Sequence, residues 1–341
     1  MSGLSRRPGL DPKALFAPLD DFHCLALAVS GGPDSLALLL LAAEYARATG
    51  TQERFVVYSV DHGLRPEAAA EVAFVLREAE RLGIFARGLR WEGEKPATGI
   101  SEAARHARYR LMAEAMQADG ATALVTAHHL GDQAETVLMR LAHGSGIEGL
   151  RGMDMFSQVG DLTIIRPLLA VDPADLAAVV SRAGITPVTD PSNADLDYER
   201  VRWRQMLPQL ATLGLDARRL GRFAERMGEA ETALVSMTAE AMSLVTIAPG
   251  VEEASIDRQV LRAIPFAVAV RVVAKMLDLV GRGQKPHGLG AVEALTARLV
   301  REPVRSTLHG CLVRTSRGTI RVLREPGREA ARKRRARQAP A

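Results

Sequence analysis

The sequence predicts an α/β protein: a parallel twisted sheet with helices on both faces, followed by a smaller, mainly helical domain. Three observations carry this. Short apolar runs alternate with long helical segments through residue 183. A glycine-containing turn, Ser30-Gly31-Gly32-Pro33-Asp34-Ser35, joins the first run to the first long helix. After Pro208 the pattern turns helical, with no convincing strand until a short hairpin over 307–323. Strands separated by helices require right-handed crossovers and hence a parallel sheet.

The elements follow in order. Residues 24–29 (CLALAV) are a buried strand, with Cys24 as a core residue in it. Residues 35–48 are rich in alanine and leucine and helical by propensity. Residues 55–60 (FVVYSV) are β-branched and aromatic, a second buried strand. Residues 67–82 place Ala69, Val72, Val75, Leu76, Ala79 and Leu82 on one helical face, and 84–90 read as strand. Residues 101–118 are helical, with Ser101 expected as N-cap. A strand over 122–127, a helix over 132–143, a strand over 162–166 and a helix over 172–183 complete the alternation. Residues 215–246 and 256–280 then read as helices, and Arg317-Gly318 as the turn of the terminal hairpin. The expected domain boundary lies near 205–215.

Composition narrows the function. The 341 residues carry two cysteines, Cys24 and Cys311, nearly the whole chain apart, which excludes a disulfide framework, a CxxC pair and a cysteine-built metal centre. No apolar signal core fits into residues 1–21, which read as an extension broken by charges and prolines, and the apolar stretch Cys24–Ala43 is interrupted by the glycine turn. A cytoplasmic protein without a membrane span is the expectation. The net charge of +4 is uneven: residues 324–341 hold seven basic and two acidic side chains, which leaves −1 for the rest. Such a tail suits either a polyanion partner or a solvated end.

The turn at 30–35 is the sharpest chemical signal. Its glycines let backbone approach a ligand, and its amides, with those of the following helix start, favour negative charge. Ser30 and Ser35 add hydroxyl groups. A carboxylate at Asp34 beside phosphates makes sense if it holds Mg²⁺, which takes oxygen ligands shared with phosphates. The chain contains no Walker A loop, and the spacing Gly144, Gly146, Gly149 follows a helix rather than a strand, so it fails the dinucleotide-binding context.

Further motifs then fall in order: Val60-Asp61-His62-Gly63-Leu64-Arg65, Ala104-Arg105-His106-Ala107-Arg108-Tyr109, Ala127-His128-His129-Leu130-Gly131-Asp132-Gln133-Ala134-Glu135-Thr136, Arg166-Pro167-Leu168-Leu169, Asp190-Pro191-Ser192-Asn193, and Arg200, Arg202 and Arg204 ahead of Leu207-Pro208. With the SGGPDS turn, these resemble the tRNA(Ile)-lysidine synthetases, a branch of the N-type ATP pyrophosphatases, over roughly residues 22–210. The resemblance implies an adenine nucleotide alpha hydrolase-like domain over 22–210. Residues 211–323 would then bind substrate or tRNA. Family members usually carry paired aspartates where this chain has Gly131-Asp132, and an arginine where it has His143.

What the resemblance implies is lysidine formation. ATP adenylates C2 of the anticodon wobble cytidine, pyrophosphate leaves, and free L-lysine displaces AMP. Asp34 and Asp132 would share Mg²⁺, and Arg108 would join them in catalysis. Ser30, Gly31, Gly32, Pro33, Asp34, Ser35, Asp61 and His62 would bind ATP. Arg105, His129, Glu135, Arg200 and Arg204 would face lysine or the tRNA(Ile) anticodon loop, with Glu135 taking the lysine ammonium.

Each role has a plainer counterpart. Asp61 and His62 contact adenosine or cap a strand end. Asp132 binds metal or serves as a helix N-terminal charge. Arg105 and Arg108, three apart on a helix, converge on one anion or form a solvated face. Trp203 stacks a base or fills a core. His128 and His129 alternate faces if the strand persists, so at most one of them points into the site. A different ATP pyrophosphatase and a non-catalytic RNA-binding relative are the competing functions, and a homodimer is left open.

Overall fold

The structure, a computed structural model, describes residues 9–96, 98–189, 195–281 and 288–325. The Asp190–Asn193 motif, residues 1–8 and the basic residues 328–337 lie outside the described residues. The chain divides into two compact units, one running through Gly144 with Gly149–Glu225, the other comprising Ser145–Glu148 with residues from Arg226 on. The division falls inside a helix, later in the chain than the expected 205–215.

Through residue 212 the elements run α1 (Pro12–Phe16), β1 (Leu25–Ala28), α2 (Pro33–Thr49), β2 (Phe55–Asp61), α3 (Ala68–Arg81), β3 (Phe85–Arg90), α4 (Ile100–Asp119), β4 (Ala123–Val125), α5 (Leu130–Ala142), the single turn α6 (Ile147–Leu150), β5 (Phe156–Val159), β6 (Leu162–Ile165), α7 (Pro173–Arg182) and α8 (Glu199–Thr212), all in the first unit except the start of α6. The sheet order is β3-β2-β1-β4-β6-β5, parallel except for β5. Side chains alternate between its faces. Leu25, Leu27, Phe55, Val57, Val125 and Ile165 pack with Leu36, Leu39, Val75, Ala79, Leu176 and Val180 from α2, α3 and α7. Ala26, Val56, Tyr58 and Leu124 pack with Met112, Ala115 and Met116 of α4 on the other face. Each fully buried Leu, Val or Phe is worth roughly 1.5–3 kcal/mol, so the central strands hold the sheet from both sides.

Two local expectations are corrected, and two features are new. Cys24 is half-buried and stands ahead of β1 rather than within it. Helix α4 starts at Ile100 from Gly99, which has a left-handed φ of 67°. Ser101 therefore lies inside the helix and its hydroxyl donates to Tyr198 Oη at 2.9 Å. Pro208 lies within α8. Strand β5 pairs antiparallel with β6 across a Gly160-Asp161 turn and extends the sheet edge.

The second unit holds more strand than expected. After α9 (Ala217–Met242) come β7 (Thr246–Ile247), β8 (Glu253–Asp257), α10 (Arg258–Ala263), α11 (Phe266–Gly281), α12 (Leu289–Arg301), β9 (Arg305–Leu308), β10 (Cys311–Ser316) and β11 (Thr319–Arg324). The strands form an antiparallel sheet in the order β7-β8-β11-β10-β9. Its inner face, with Ala254, Ile256, Cys311, Val313, Ile320 and Val322, packs on Val272, Val273, Met276 and Leu277 of α11. Two-residue turns His309-Gly310 and Arg317-Gly318 close the hairpins, with both residues of each at positive φ, as tight hairpins require. Arg324, counted by sequence with the basic tail, ends β11, and its guanidinium donates to Val280 O at 3.3 Å. No helix among the described residues is long and apolar enough to cross a membrane.

Candidate active site

Strand β1 lies between β2 and β4, so the chain leaves β1 towards one edge of the sheet and returns on its other side at β4. In open α/β sheets the crevice at such a switch point, beyond the carboxyl ends of the strands, is where ligands bind. The loops after β1 and β4 flank it here.

The β1–α2 loop is pre-formed. Ser35 Oγ accepts from Ser30 N at 3.2 Å and donates to Gly32 O at 3.0 Å, and the two seryl hydroxyls are 3.2 Å apart. Gly31 has φ +85°, and a Cβ there would lie 3.0 Å from Val188 Cγ2 and 3.3 Å from Val75 Cγ2, so glycine is required on two counts. Its carbonyl accepts from Val188 N at 2.9 Å. Gly32 caps α2 and Pro33 occupies its first turn. Among the described residues, no backbone carbonyl receives the amides of Gly31, Gly32, Asp34 or Ser35. These amides sit at the positive end of a 17-residue helix, a ready anion cradle.

Across the crevice, His129 caps α5. Its Nδ1 accepts from Gly131 N at 3.0 Å and Asp132 N at 3.3 Å, while Asp132 Oδ2 accepts from His129 N at 3.0 Å, a reciprocal capping box. This leaves the ring hydrogen on Nε2, which faces Asp34 Oδ2 at 3.5 Å. Burial alone would depress the His129 pKa; the hydrogen bond to Asp34 and the Asp132, Asp34 and Glu135 carboxylates hold it above the ordinary value. Gly131 makes the arrangement possible: a Cβ there would stand 2.9 Å from His129 Cε1. Gly131 is thus the residue that lets the ring fold over the helix end. Gln133, next in the motif, clamps Met153 through its side-chain amide (2.7 and 2.9 Å).

Glu135 and Asp132 meet Arg200 and Arg204 of α8. Glu135 Oε2 accepts from Arg200 Nε at 2.7 Å and Oε1 from Arg204 Nε at 2.6 Å; Asp132 Oδ1 lies 3.2 Å from Arg200 Nη2 and 3.7 Å from Arg204 Nη2. Burial alone would raise the Asp132 pKa, but His129 and Arg200 outweigh it and hold the carboxyl below its usual range. The Glu135 side chain is 2% exposed with both oxygens on guanidinium groups. The expectation that it takes a lysine ammonium does not fit: an ammonium would have to displace an arginine. Glu135 instead orients Arg200 and Arg204, whose side chains remain 35% and 45% exposed and able to hold an anion. Arg202 turns away and donates to Leu196 O and Asp197 O. Trp203 packs with the α5–α8–α9 cluster and donates to Glu199, the core alternative.

Two residues without an assigned role in the sequence belong here. His128 Nδ1 is 2.8 Å from Thr126 Oγ1, and Arg166 is buried with Nη1 on Asp154 O and Ser157 Oγ. Burial lowers the His128 pKa; Asp132 opposes this, but Arg166, Arg200 and Arg108 carry it to about 4. The ring is therefore neutral at physiological pH amid cationic side chains. Arg105 and Arg108 flank the Tyr109 ring at 5.1 and 5.5 Å. Arg108 is half-buried, and desolvation lowers its pKa; Arg105 is exposed. Strand β4 ends at Val125, so strand alternation does not govern the two histidines: His129 stands at Asp34 and His128 among arginines.

Asp61 ends β2 and caps the strand, accepting from Gly63 N at 2.7 Å with Arg90 Nε at 3.8 Å. The His62 ring meets Trp91 edge-on at 6.4 Å. Beyond β2 and β3 a shallow cavity of about 340 Å³ is lined by Gly63, Arg90, Trp91 and Lys95.

The donor set tests the expected metal. The Asp34 side chain is 41% exposed and lies beside the amide cradle, so it fits Mg²⁺ that takes its remaining oxygens from phosphates and water. Asp132 does not fit as the second ligand here, because its oxygens already serve the α5 cap and two arginines. Among the described residues no group of three His, Cys, Asp or Glu is arranged to hold a metal.

A strand–SGGPDS–helix cradle at the switch point of a parallel sheet defines a PP-loop protein, and the PP-loop domain family matches residues 11–210. A U34-tRNA thiolase from Methanococcus maripaludis shares the fold, with a TM-score of 0.52 over 64% of this chain and 78% of that one at 15% identity. A tRNA(Ile)-lysidine synthase from Bradyrhizobium sp. is 41% identical, covering 93% of this chain and 94% of its own. One from Rhodopseudomonas palustris is 45% identical over 85% and 84% of the two chains, and one from Methylobacterium nodulans 43% over 90% and 91%. The chain belongs to the tRNA(Ile)-lysidine synthase family.

Proposed function

We propose that this chain is the ligase its relatives are named for, joining free lysine to C2 of the wobble cytidine of tRNA(Ile) at the expense of ATP. The observation that carries this is an anion cradle with its own carboxylate, Asp34, after β1, and across the sheet's switch point Arg200 and Arg204 of α8 held by Asp132 and Glu135 of α5.

The amides of Gly31, Gly32, Asp34 and Ser35 hold the leaving pyrophosphate, and Asp61 and His62 border the adenosine. Asp34 would hold Mg²⁺, which when bound would neutralise phosphate charge. Arg108 draws the α-phosphate towards the cytidine. The C2 oxygen attacks the α-phosphorus and pyrophosphate departs. The lysine amine then attacks C2, AMP leaves, and the amine gives up its protons to solvent. Arg200 and Arg204 take the lysine carboxylate, and Arg105 reaches tRNA phosphate. An anticodon loop presents unpaired bases, so exposing the target costs little. The second unit and the basic tail serve tRNA, and a tRNA substrate places the protein in the cytoplasm.

Incubation with ATP, labelled lysine and unmodified tRNA(Ile) tests the reading: label enters RNA only with ATP. Incorporation without ATP, or none with all three substrates, refutes it. Asp34→Ala abolishes pyrophosphate release while leaving the circular dichroism spectrum unchanged.

A further inference from the structure

The outward face of the second unit's sheet carries a row of arginines that its own fold does not explain. In the strand register Arg305 of β9 stands opposite Arg314 of β10, and Arg314 opposite Arg321 of β11. All three are exposed, while their strand neighbours Val304, Val313, Ile320 and Val322 are buried on the other face. Neighbouring strands are about 4.8 Å apart, so the row sets three guanidinium groups across roughly 10 Å. Like charges directly opposite each other weaken a sheet. Glu253 of β8 relieves only Arg321, at 3.5 Å. Arg305 and Arg314 make no ion pair with a described residue. Arg317 adds a fourth exposed cation at the hairpin tip, in a left-handed conformation (φ 50°) that favours asparagine or glycine.

A sequence that keeps repelling side chains in register, and an arginine where a turn prefers another residue, is shaped for something other than stability. We infer that this face is a docking surface for the phosphate backbone of the tRNA substrate, with Arg305, Arg314 and Arg321 as its contacts. The inference rests on the function proposed above. Three arguments select RNA phosphate. Guanidinium matches phosphate in geometry and charge. Beside the arginines the same face carries small polar side chains (Thr307, Ser316, Thr319), and its apolar residues on β8–β11 are confined to the half-buried pair Leu312 and Leu323, opposite each other on β10 and β11, rather than the broad apolar centre of a protein interface. The chain then continues from β11 into further basic residues of the same sign.

The experiment measures binding of unmodified tRNA(Ile) to the full chain between 50 and 300 mM salt. The proteins compared are wild type, R305Q/R314Q/R321Q and R305K/R314K/R321K. Each lost phosphate contact lowers the slope of log affinity against log salt by about 0.7–0.9, so the glutamine variant is expected to lose about two units of slope and at least tenfold in affinity near 150 mM. The lysine variant keeps the slope. Without RNA the glutamine variant melts no lower than wild type, since it removes repulsion. An unchanged slope in the glutamine variant, while wild type still attaches lysine to tRNA, overturns this inference and leaves the function standing. Loss of adsorption to phosphatidylserine vesicles with tRNA binding intact overturns it as well. Wild type that neither binds tRNA nor attaches lysine defeats the functional reading, and this inference with it.

Discussion

Gly131→Ala isolates the contact that shapes the crevice. The new Cβ would lie 2.9 Å from His129 Cε1 and 3.1 Å from Nδ1, so the ring must swing away. Swinging breaks the two bonds by which Nδ1 caps α5, and losing an N-cap costs about 1 kcal/mol. Replacing glycine by alanine within a helix returns up to about 1 kcal/mol. The two effects nearly cancel, so the substitution alone shifts stability by less than about 1 kcal/mol, or roughly 2–4 °C. In a His129→Ala background no ring stands in the way, and the same substitution is stabilising by up to about 1 kcal/mol. Urea denaturation of the four proteins of this double-mutant cycle is therefore expected to give a coupling near 1 kcal/mol. If Gly131→Ala stabilises both backgrounds equally, the ring does not occupy the position assigned to it. Lysine incorporation falls in Gly131→Ala, because Asp34 loses the Nε2 that faces it.

Three further outcomes follow from the same geometry. The folded His128 pKa, about 4, lies below the ordinary value near 6.5, so its contribution to stability is present above pH 6.5 and is lost as pH falls towards 4. That loss is up to about 3 kcal/mol, and urea melts of His128→Gln are expected to lack it; identical pH profiles for both proteins contradict the assignment. Glu135→Gln withdraws the charge holding Arg200 and Arg204. Because both arginines are partly exposed, the cost falls to about 1–3 kcal/mol, below that of a fully buried pair, and lysine attachment is expected to drop at least tenfold. Arg54→Ala removes the guanidinium that donates to Leu19 O, Asp20 O and Phe22 O, so limited proteolysis is expected to cut the 9–22 segment faster while the sheet core stays resistant.

The central sheet was legible because its strands are buried on both faces and read as continuous apolar runs such as Phe55-Val56-Val57-Tyr58. Edge strands carry no such signal. Strand β5 is mostly exposed, though the Gly160-Asp161 pair between Val159 and Leu162 is a hairpin signature that could have revealed it. Strand β8 (EASID) hides its alternation because its inward positions include a small alanine, so the second sheet was seen only at its terminal hairpin. In the site, the cradle could be read from six consecutive residues. The pairing of Glu135 with Arg200 and Arg204 joins positions 65 and 69 apart, beyond what local spacing fixes. A hint was present: acids three apart on one helix and arginines four apart on another are complementary pairs awaiting a partner. Ser101 looked like a cap by residue type, but the left-handed Gly99 started the helix before the serine could take that position.

The brace between Gly31 and Val188 makes the hexapeptide non-portable. The turn owes its shape to a valine 157 positions downstream, whose amide donates to its carbonyl and whose side chain fills the space beside its bare α-carbon. Grafted onto another strand and helix, the same six letters would arrive without that support. Bulkier residues at 188 would press on the turn itself, because Val188 Cγ2 already lies at the edge of the space beside Gly31.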